Sequence, residues 1–79
     1  MYYVYRMQSV EHPEQKYTGF TSDVFKRLDS HNAGQVPHTS KYKPWKLVNY
    51  FAFVDEKRAR EFEVYLKSGS GRAFAKKHF

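Results

Sequence analysis

Three arrangements in this chain have residue types and spacings that could do chemistry. Asp23, Arg27 and His31 recur at i, i+4 and i+8, which on a helix lines them along one edge. Such a file can be two surface ion-pair steps, or it can present Arg27 as a planar, permanently charged clamp for phosphate. His31 at its end also suits a residue interacting with the negative end of a helix dipole. Farther along, Glu63 shares a helix side with Ala59, Phe62 and Leu66, so its carboxylate borders an apolar stripe. There it snorkels, pairs with a cation or holds a metal, and the ion pair is the simplest of the three. The third arrangement is Lys41, Lys43 and Trp45, cations beside aromatics, as in grooves that track phosphates and stack bases. A solvated lysine-rich loop has the same composition. His12, His38 and His78 lack metal-ligand spacing and are assigned no role.

The elements that must position these residues can be read from the same text. Tyr2 to Met7 is rich in β-formers and predicts a strand with two fairly apolar faces. Glu11 to Glu14 is turn material, and Lys16 to Thr21 predicts a second strand, closing a hairpin. Gly19 inside that strand marks a bulge or a close approach to the backbone. Thr21 and Ser22 offer cap oxygens, and Asp23 adds negative charge, for a helix from Asp23 to Asn32. That helix would bury Val24, Phe25 and Leu28, with Gly34 ending it. Gln35 to Pro44 is a polar, basic loop by composition. Trp45 to Phe53 predicts a third strand, with Leu47, Phe51 and Phe53 on one face and Val48, Tyr50 and Ala52 on the other. Asp55 caps a second helix to Ser68; Gly69-Ser70-Gly71 is a break before a short basic terminal helix, Arg72 to His78. The order β-β-α-β-α, with that further C-terminal helix, implies an α+β layer on a small, mainly antiparallel sheet.

Composition bounds the rest. Residues 1–79 suffice for a single domain, and seven Tyr, seven Phe and one Trp argue against disorder. With no cysteine, disulfides, thiolate metal sites and Cys nucleophiles are excluded; a reducing, cytoplasmic setting is expected. No signal peptide or membrane span is expected. Walker-type, zinc-finger, dinucleotide and Gly-x-Ser-x-Gly patterns are all missing, which removes nucleotide-cofactor and acyl-transfer enzymes. The net charge of +6 favours an acidic partner, nucleic acid first. It is unevenly placed: Lys26, Arg27, Lys41, Lys43 and Lys46 face only Asp29 in their segment, and no side-chain acid follows Lys67.

Tyr3-Val4-Tyr5 and Tyr17-Thr18-Gly19 resemble the two signature tripeptides of the GIY-YIG nuclease superfamily. Asp23-x-x-x-Arg27-x-x-x-His31-Asn32 is similar to that family's helix, and Glu63-x-x-Leu66 to its later helical carboxylate. The opening Met-Tyr-Tyr-Val-Tyr, the stretch from His38 to Trp45 and the stretch from Tyr65 to Arg72 look like the small stand-alone bacterial members, relatives of an N-terminal domain found in excinuclease ABC. Five landmarks in order span nearly the whole chain. Tyr3 stands in place of the leading Gly, Val4 and Thr18 in place of the two Ile, and no Asn follows Asn49 where many members carry a late one.

The resemblance implies a three-stranded antiparallel sheet flanked by helices and metal-dependent hydrolysis of a DNA phosphodiester. It assigns catalytic roles to Tyr5, Tyr17, Arg27, His31 and Glu63, with Glu63 as the single protein ligand of Mg²⁺ or Mn²⁺. In those roles Arg27 neutralises charge on the non-bridging oxygens, Tyr17 orients or deprotonates water, and Tyr5 and His31 assist. A phenol of pKa near 10 acts as base at neutral pH only where cations favour phenolate. Lys26, Lys41, Lys43, Trp45, Lys67 and Arg72 are the expected nucleic-acid contacts, to DNA first with RNA open, and of weak sequence preference. A non-catalytic nucleic-acid-binding module would explain the charge without turnover. A protein–protein adaptor would explain the tyrosines as packing, but neither Arg27 nor Glu63.

Overall fold

The computed structural model describes residues 1–79, in the order β1 (Tyr2–Ser9), β2 (Lys16–Thr21), α1 (Val24–Asn32), α2 (Pro37–Ser40), β3 (Trp45–Phe53), α3 (Glu56–Lys67) and α4 (Gly69–His78). The strands form one antiparallel sheet of order β2-β1-β3, flanked by helices as the resemblance implies. β1 is central, and successive side chains of a strand point to opposite faces. Val4 is therefore buried toward α3 and α4, while Tyr5 and Met7 are buried toward α1 and α2.

The two faces carry separate cores. Beneath the sheet Val4, Ala59, Leu66 and Ala75 pack with Phe20, Phe51, Phe53, Phe62 and Phe74. Phe51 and Phe62 meet edge to face at 4.8 Å between ring centres, a favourable aromatic arrangement. Above it Tyr5, Met7, Val24 and Trp45 pack with Tyr3, Tyr17, Leu28, Tyr42 and Leu47. This second core also encloses the buried polar residues Ser9, His31 and Thr39.

A bulge in the β1–β3 ladder separates the aromatic load. Arg6 lies opposite Asn49 but Met7 opposite Leu47, so Val48 is the extra residue. Its insertion reverses the alternation, and Leu47 packs above the sheet while Phe51 and Phe53 pack below. The expectation that these three share a face is thereby corrected.

Local chemistry sets the helix ends. Asp23 itself, rather than Thr21 or Ser22, caps α1 by accepting the Lys26 N–H at 3.0 Å. Gly34, at φ +75°, closes α1 with two return bonds, Gly34 N–H to the His31 carbonyl and Gln35 N–H to that of Ser30. Phe25 is 64% exposed rather than buried, because α1 turns Val24 and His31 inward. The expected loop from Gln35 to Pro44 contains the one-turn α2, opened by Pro37, whose fixed φ suits a first helical position. Asn32 fastens α1 to β3, accepting the Trp45 N–H at 2.6 Å and donating to its carbonyl at 3.0 Å.

Gly69-Ser70-Gly71 is the first turn of α4 instead of a break, since Ser68 Oγ accepts the Gly71 N–H at 3.2 Å. A Cβ at Gly71 would run into the Tyr65 carbonyl, so the α3–α4 corner closes tightly only with glycine there. No helix is long and apolar enough to cross a membrane.

Candidate active site

Tyr5 rises from the central strand with Gly19 opposite it on β2. A Cβ at Gly19 would fall onto the Tyr5 hydroxyl, so the missing side chain is the space the phenol occupies. The β1–β2 register is continuous through this pair, which makes Gly19 a close approach and not a bulge. The Tyr5 hydroxyl lies 2.8 Å from His31 Nε2, and His31 Nδ1 lies 2.7 Å from Thr39 Oγ1. Trp45 Nε1 donates to the Thr39 carbonyl at 2.9 Å, holding α2 over the site. Tyr17 borders the group, its ring centre 5.3 Å from that of His31 and 6.2 Å from that of Tyr5.

Burial fixes where the protons sit. It pushes the Tyr5 phenol up from its ordinary value, against the pull of the Arg27 guanidinium and with the help of Tyr17 and Glu63. His31 is pushed down to about 4, first by burial and then by the charge of Arg27. At neutral pH the pair is therefore a phenol and a neutral imidazole. Thr39 Oγ1 has the Val36 carbonyl at 3.4 Å to receive its own proton. With Thr39 donating to Val36, the series would run from Tyr5 O–H to Nε2 and from Nδ1–H to Thr39; in either tautomer both ring nitrogens are engaged. Each ring nitrogen of His31 is thus used inside the protein.

Arg27, which both of these groups sense, has a buried Nε with no hydrogen-bond partner and makes no ion pair. The ion-pair steps open to Asp23, Arg27 and His31 are not formed: the Asp23 carboxylate serves the Lys26 N–H, and His31 turns to Tyr5. A half-buried guanidinium without a counter-charge is costly unless an anion completes it.

Glu63 reaches this group from α3, which packs on the sheet's other face and against β2. Its carboxylate is 18% exposed and pairs through Oε2 with Lys67 Nζ at 3.1 Å. Lys67 Nζ in turn stands 5.9 Å from the Tyr17 ring centre, so the pair lies at the β2 edge. The ion pair expected of this carboxylate is present, and Lys67 marks a place for positive charge. No cluster of three or more His, Cys, Asp or Glu could hold a metal by itself. A lone carboxylate fits Mg²⁺ or Mn²⁺ completed by phosphate oxygens and water, and fits poorly a metal that demands an all-protein cage.

The structure thus brings Tyr5, Tyr17, Arg27, His31 and Glu63 to one place. The expected nucleic-acid contacts divide. Lys67 belongs to the site, Arg72 lines a cleft beside it, and Lys41 lines a 260 Å³ hollow shared with Tyr17 and His38. Lys26 and Lys43 are exposed. Trp45 is corrected: it is 5% exposed and its indole N–H is spent on Thr39, leaving no face for stacking on a base. His38, given no role from sequence, stands with its ring centre 6.2 Å from that of Tyr17. Thr39 is equally silent in the sequence, its one signal being Pro37, which as a helix opener places a turn there.

A sequence profile described as the GIY-YIG catalytic domain matches residues 1–77. A UPF0213 protein of Streptococcus pyogenes serotype M3 is 33% identical over 72 residues, covering 90% of this chain and 76% of that protein. A structure-specific endonuclease subunit SLX1 homolog of Giardia intestinalis is 37% identical over 60 residues, covering 71% of this chain but 17% of that protein. The solution structure of a UPF0213 protein of Bacillus halodurans superposes with a TM-score of 0.56 at 31% identity, covering 96% of this chain and 81% of that one.

Proposed function

The chain belongs to the GIY-YIG family, and from that premise we propose that it is an endonuclease hydrolysing DNA phosphodiester bonds with one Mg²⁺ or Mn²⁺. The observation that carries the reading is Arg27, half-buried beside Tyr5 and His31, with its Nε unpartnered and no acid paired to it, and a carboxylate at the β2 edge. That is a cradle for one anion beside a place for one cation, which a scissile phosphate and its metal would fill together.

Glu63, with phosphate oxygens and water, would hold the divalent ion, which would supply charge neutralisation at the reacting phosphate. Arg27 binds the non-bridging oxygens and stabilises the charge that grows there. Tyr5 has committed its proton to His31, so its oxygen offers a lone pair and fixes a water without taking a proton from it. Tyr17, with no such commitment, is left to orient the attacking water, whose proton it can take only as a phenolate, and Lys67 is the cation beside it. His31 is a positioning residue in this scheme, because both its nitrogens are engaged inside the protein.

The relative named as a structure-specific endonuclease subunit supports a preference for DNA structure over sequence, and with it we propose a place in repair or recombination. The test is cleavage of labelled single-stranded, duplex and branched DNA, and of RNA, with Mg²⁺, Mn²⁺ or chelator. Wild type should yield metal-dependent products, absent in Glu63→Ala and Tyr17→Phe, while both variants still bind. A second reading, a binding module without turnover, draws on the Glu63–Lys67 ion pair, which fills the carboxylate without a metal. Salt-sensitive binding with no product under any metal would establish that reading instead.

A further inference from the structure

A cleft of about 670 Å³ opens between the β2 edge and α4, running away from Tyr17. Arg6, Lys16, Lys67, Arg72 and Lys76 line it, and Glu14 is its one carboxylate. Glu14 is turned to His12, at 3.8 Å. Of the five cations only Lys67 makes an ion pair, and that with Glu63 of the active site. Arg72 and Lys76 are one turn apart on α4, so both project from the same side. In the cleft wall, Arg6 has a buried guanidinium nitrogen, Nη1, with no hydrogen-bond partner. Its cross-strand neighbour Asn49 has an equally unpartnered Oδ1.

A protein that wanted these charges only for solubility would leave them in water and paired with acids elsewhere. Here they converge on a concave surface and one is carried partly into the interior, where an unpaired charge is unfavourable. A polyanion with regularly spaced charges can engage the four unpaired cations together, which a single small anion cannot.

We propose that this cleft holds the phosphodiester backbone of one nucleic-acid strand as it leaves the scissile position, with Arg6 as the innermost phosphate contact and Lys16, Arg72 and Lys76 along its rim. The inference rests on the nuclease reading for its starting point, Tyr17, and not for the cleft's affinity. Backbone contacts carry no base information, so the cleft contributes affinity without sequence preference.

The experiment is fluorescence anisotropy of a labelled mixed-sequence single strand across a salt series, in chelator so that nothing is cut. The exposed double variant Arg72→Gln/Lys76→Gln removes two cleft charges without touching a core. Lys57→Gln/Arg58→Gln removes two exposed charges at the far end of α3 and matches it in net charge. The cleft variant should bind roughly tenfold more weakly and lose about one to two units of log–log salt slope, whereas the matched variant should stay near wild type. Arg6→Lys, which keeps the charge but loses the planar fork, should weaken binding less than Arg6→Met.

Equal losses in the two double variants would overturn the proposal, since only net charge would then matter. Strand-independent binding to anionic vesicles with no loss in the cleft variant would overturn it as well. Cleavage by wild type with Mn²⁺ is read separately. Products with an unaffected cleft variant sink the cleft alone, and cleft-dependent binding without products sinks the nuclease reading alone.

Discussion

The two faces of this sheet are built on opposite terms. Below it, Val4, Ala59, Leu66 and Ala75 meet rings of phenylalanine, and the cluster they form is apolar. Above it, a buried phenol, imidazole and threonine hydroxyl are joined in series, with an unpaired guanidinium alongside. Burying a methyl group is favourable wherever it goes, whereas each buried polar atom must find its partner or cost stability. A fold this small gains most by making both faces like the lower one. The upper face shows where that gain was forgone: Arg27 Nε there is one of three buried side-chain polar atoms without a partner, Arg6 Nη1 and Asn49 Oδ1 being the other two.

Substitutions should separate the faces. The largest effect is expected for Arg27→Met, which should lower cleavage about 10²–10³-fold. Thermal unfolding of the same variant should be unchanged or shifted upward, because an uncompensated buried charge is removed. Loss of both properties would mean that Arg27 has a structural partner. On the lower face Leu66→Ala should act in reverse, costing roughly 2–5 kcal/mol in denaturant unfolding while the folded fraction keeps its turnover.

Acid should act on the upper face through His31. His31 has a folded value of about 4 against 6.5 ordinarily, so the unfolded chain takes up its proton first as pH falls. Its contribution is complete above pH 6.5 and lost on the way to about 4, by up to about 3 kcal/mol, and His31→Gln should flatten that part of the profile. The smallest effect is expected for Thr39→Val, at about 1–2 kcal/mol of stability. It should also free the His31 tautomer, visible as a changed imidazole ¹⁵N shift, and Thr39→Ser should restore both. A variant that loses stability with an unaltered shift would make Thr39 mere packing.

How much of this is legible in the sequence differs by face in the same way. The sequence of strands and long helices along the chain and the apolar stripe of Ala59, Phe62 and Leu66 follow from periodicity, which reports burial directly, whereas α2 and the first turn of α4 do not. The five candidate site residues are marked by ordered landmarks, and the structure gathers them. What stays hidden is relational. One extra residue, Val48, moves Leu47 to the opposite face from Phe51, and alternation alone cannot reveal a bulge. Trp45 reads as a stacking platform because its lysine neighbours are exposed, while its indole N–H is already claimed by Thr39. Gly19 reads as a close approach or a bulge, and only the position of the Tyr5 ring decides between them.

Arg27, which no acid of the fold pairs, is the group proposed to receive a phosphate. The most direct test is the Arg27 Nε–H signal in a ¹⁵N spectrum, assigned by its loss in Arg27→Lys, during titration with a cleavage-resistant phosphorothioate oligonucleotide in chelator. This signal should shift on saturation, and should shift in Glu63→Ala as well. A signal that stays in place while those of Arg72 and Lys67 move would contradict it, leaving a protein that binds nucleic acid without placing a phosphate at Arg27.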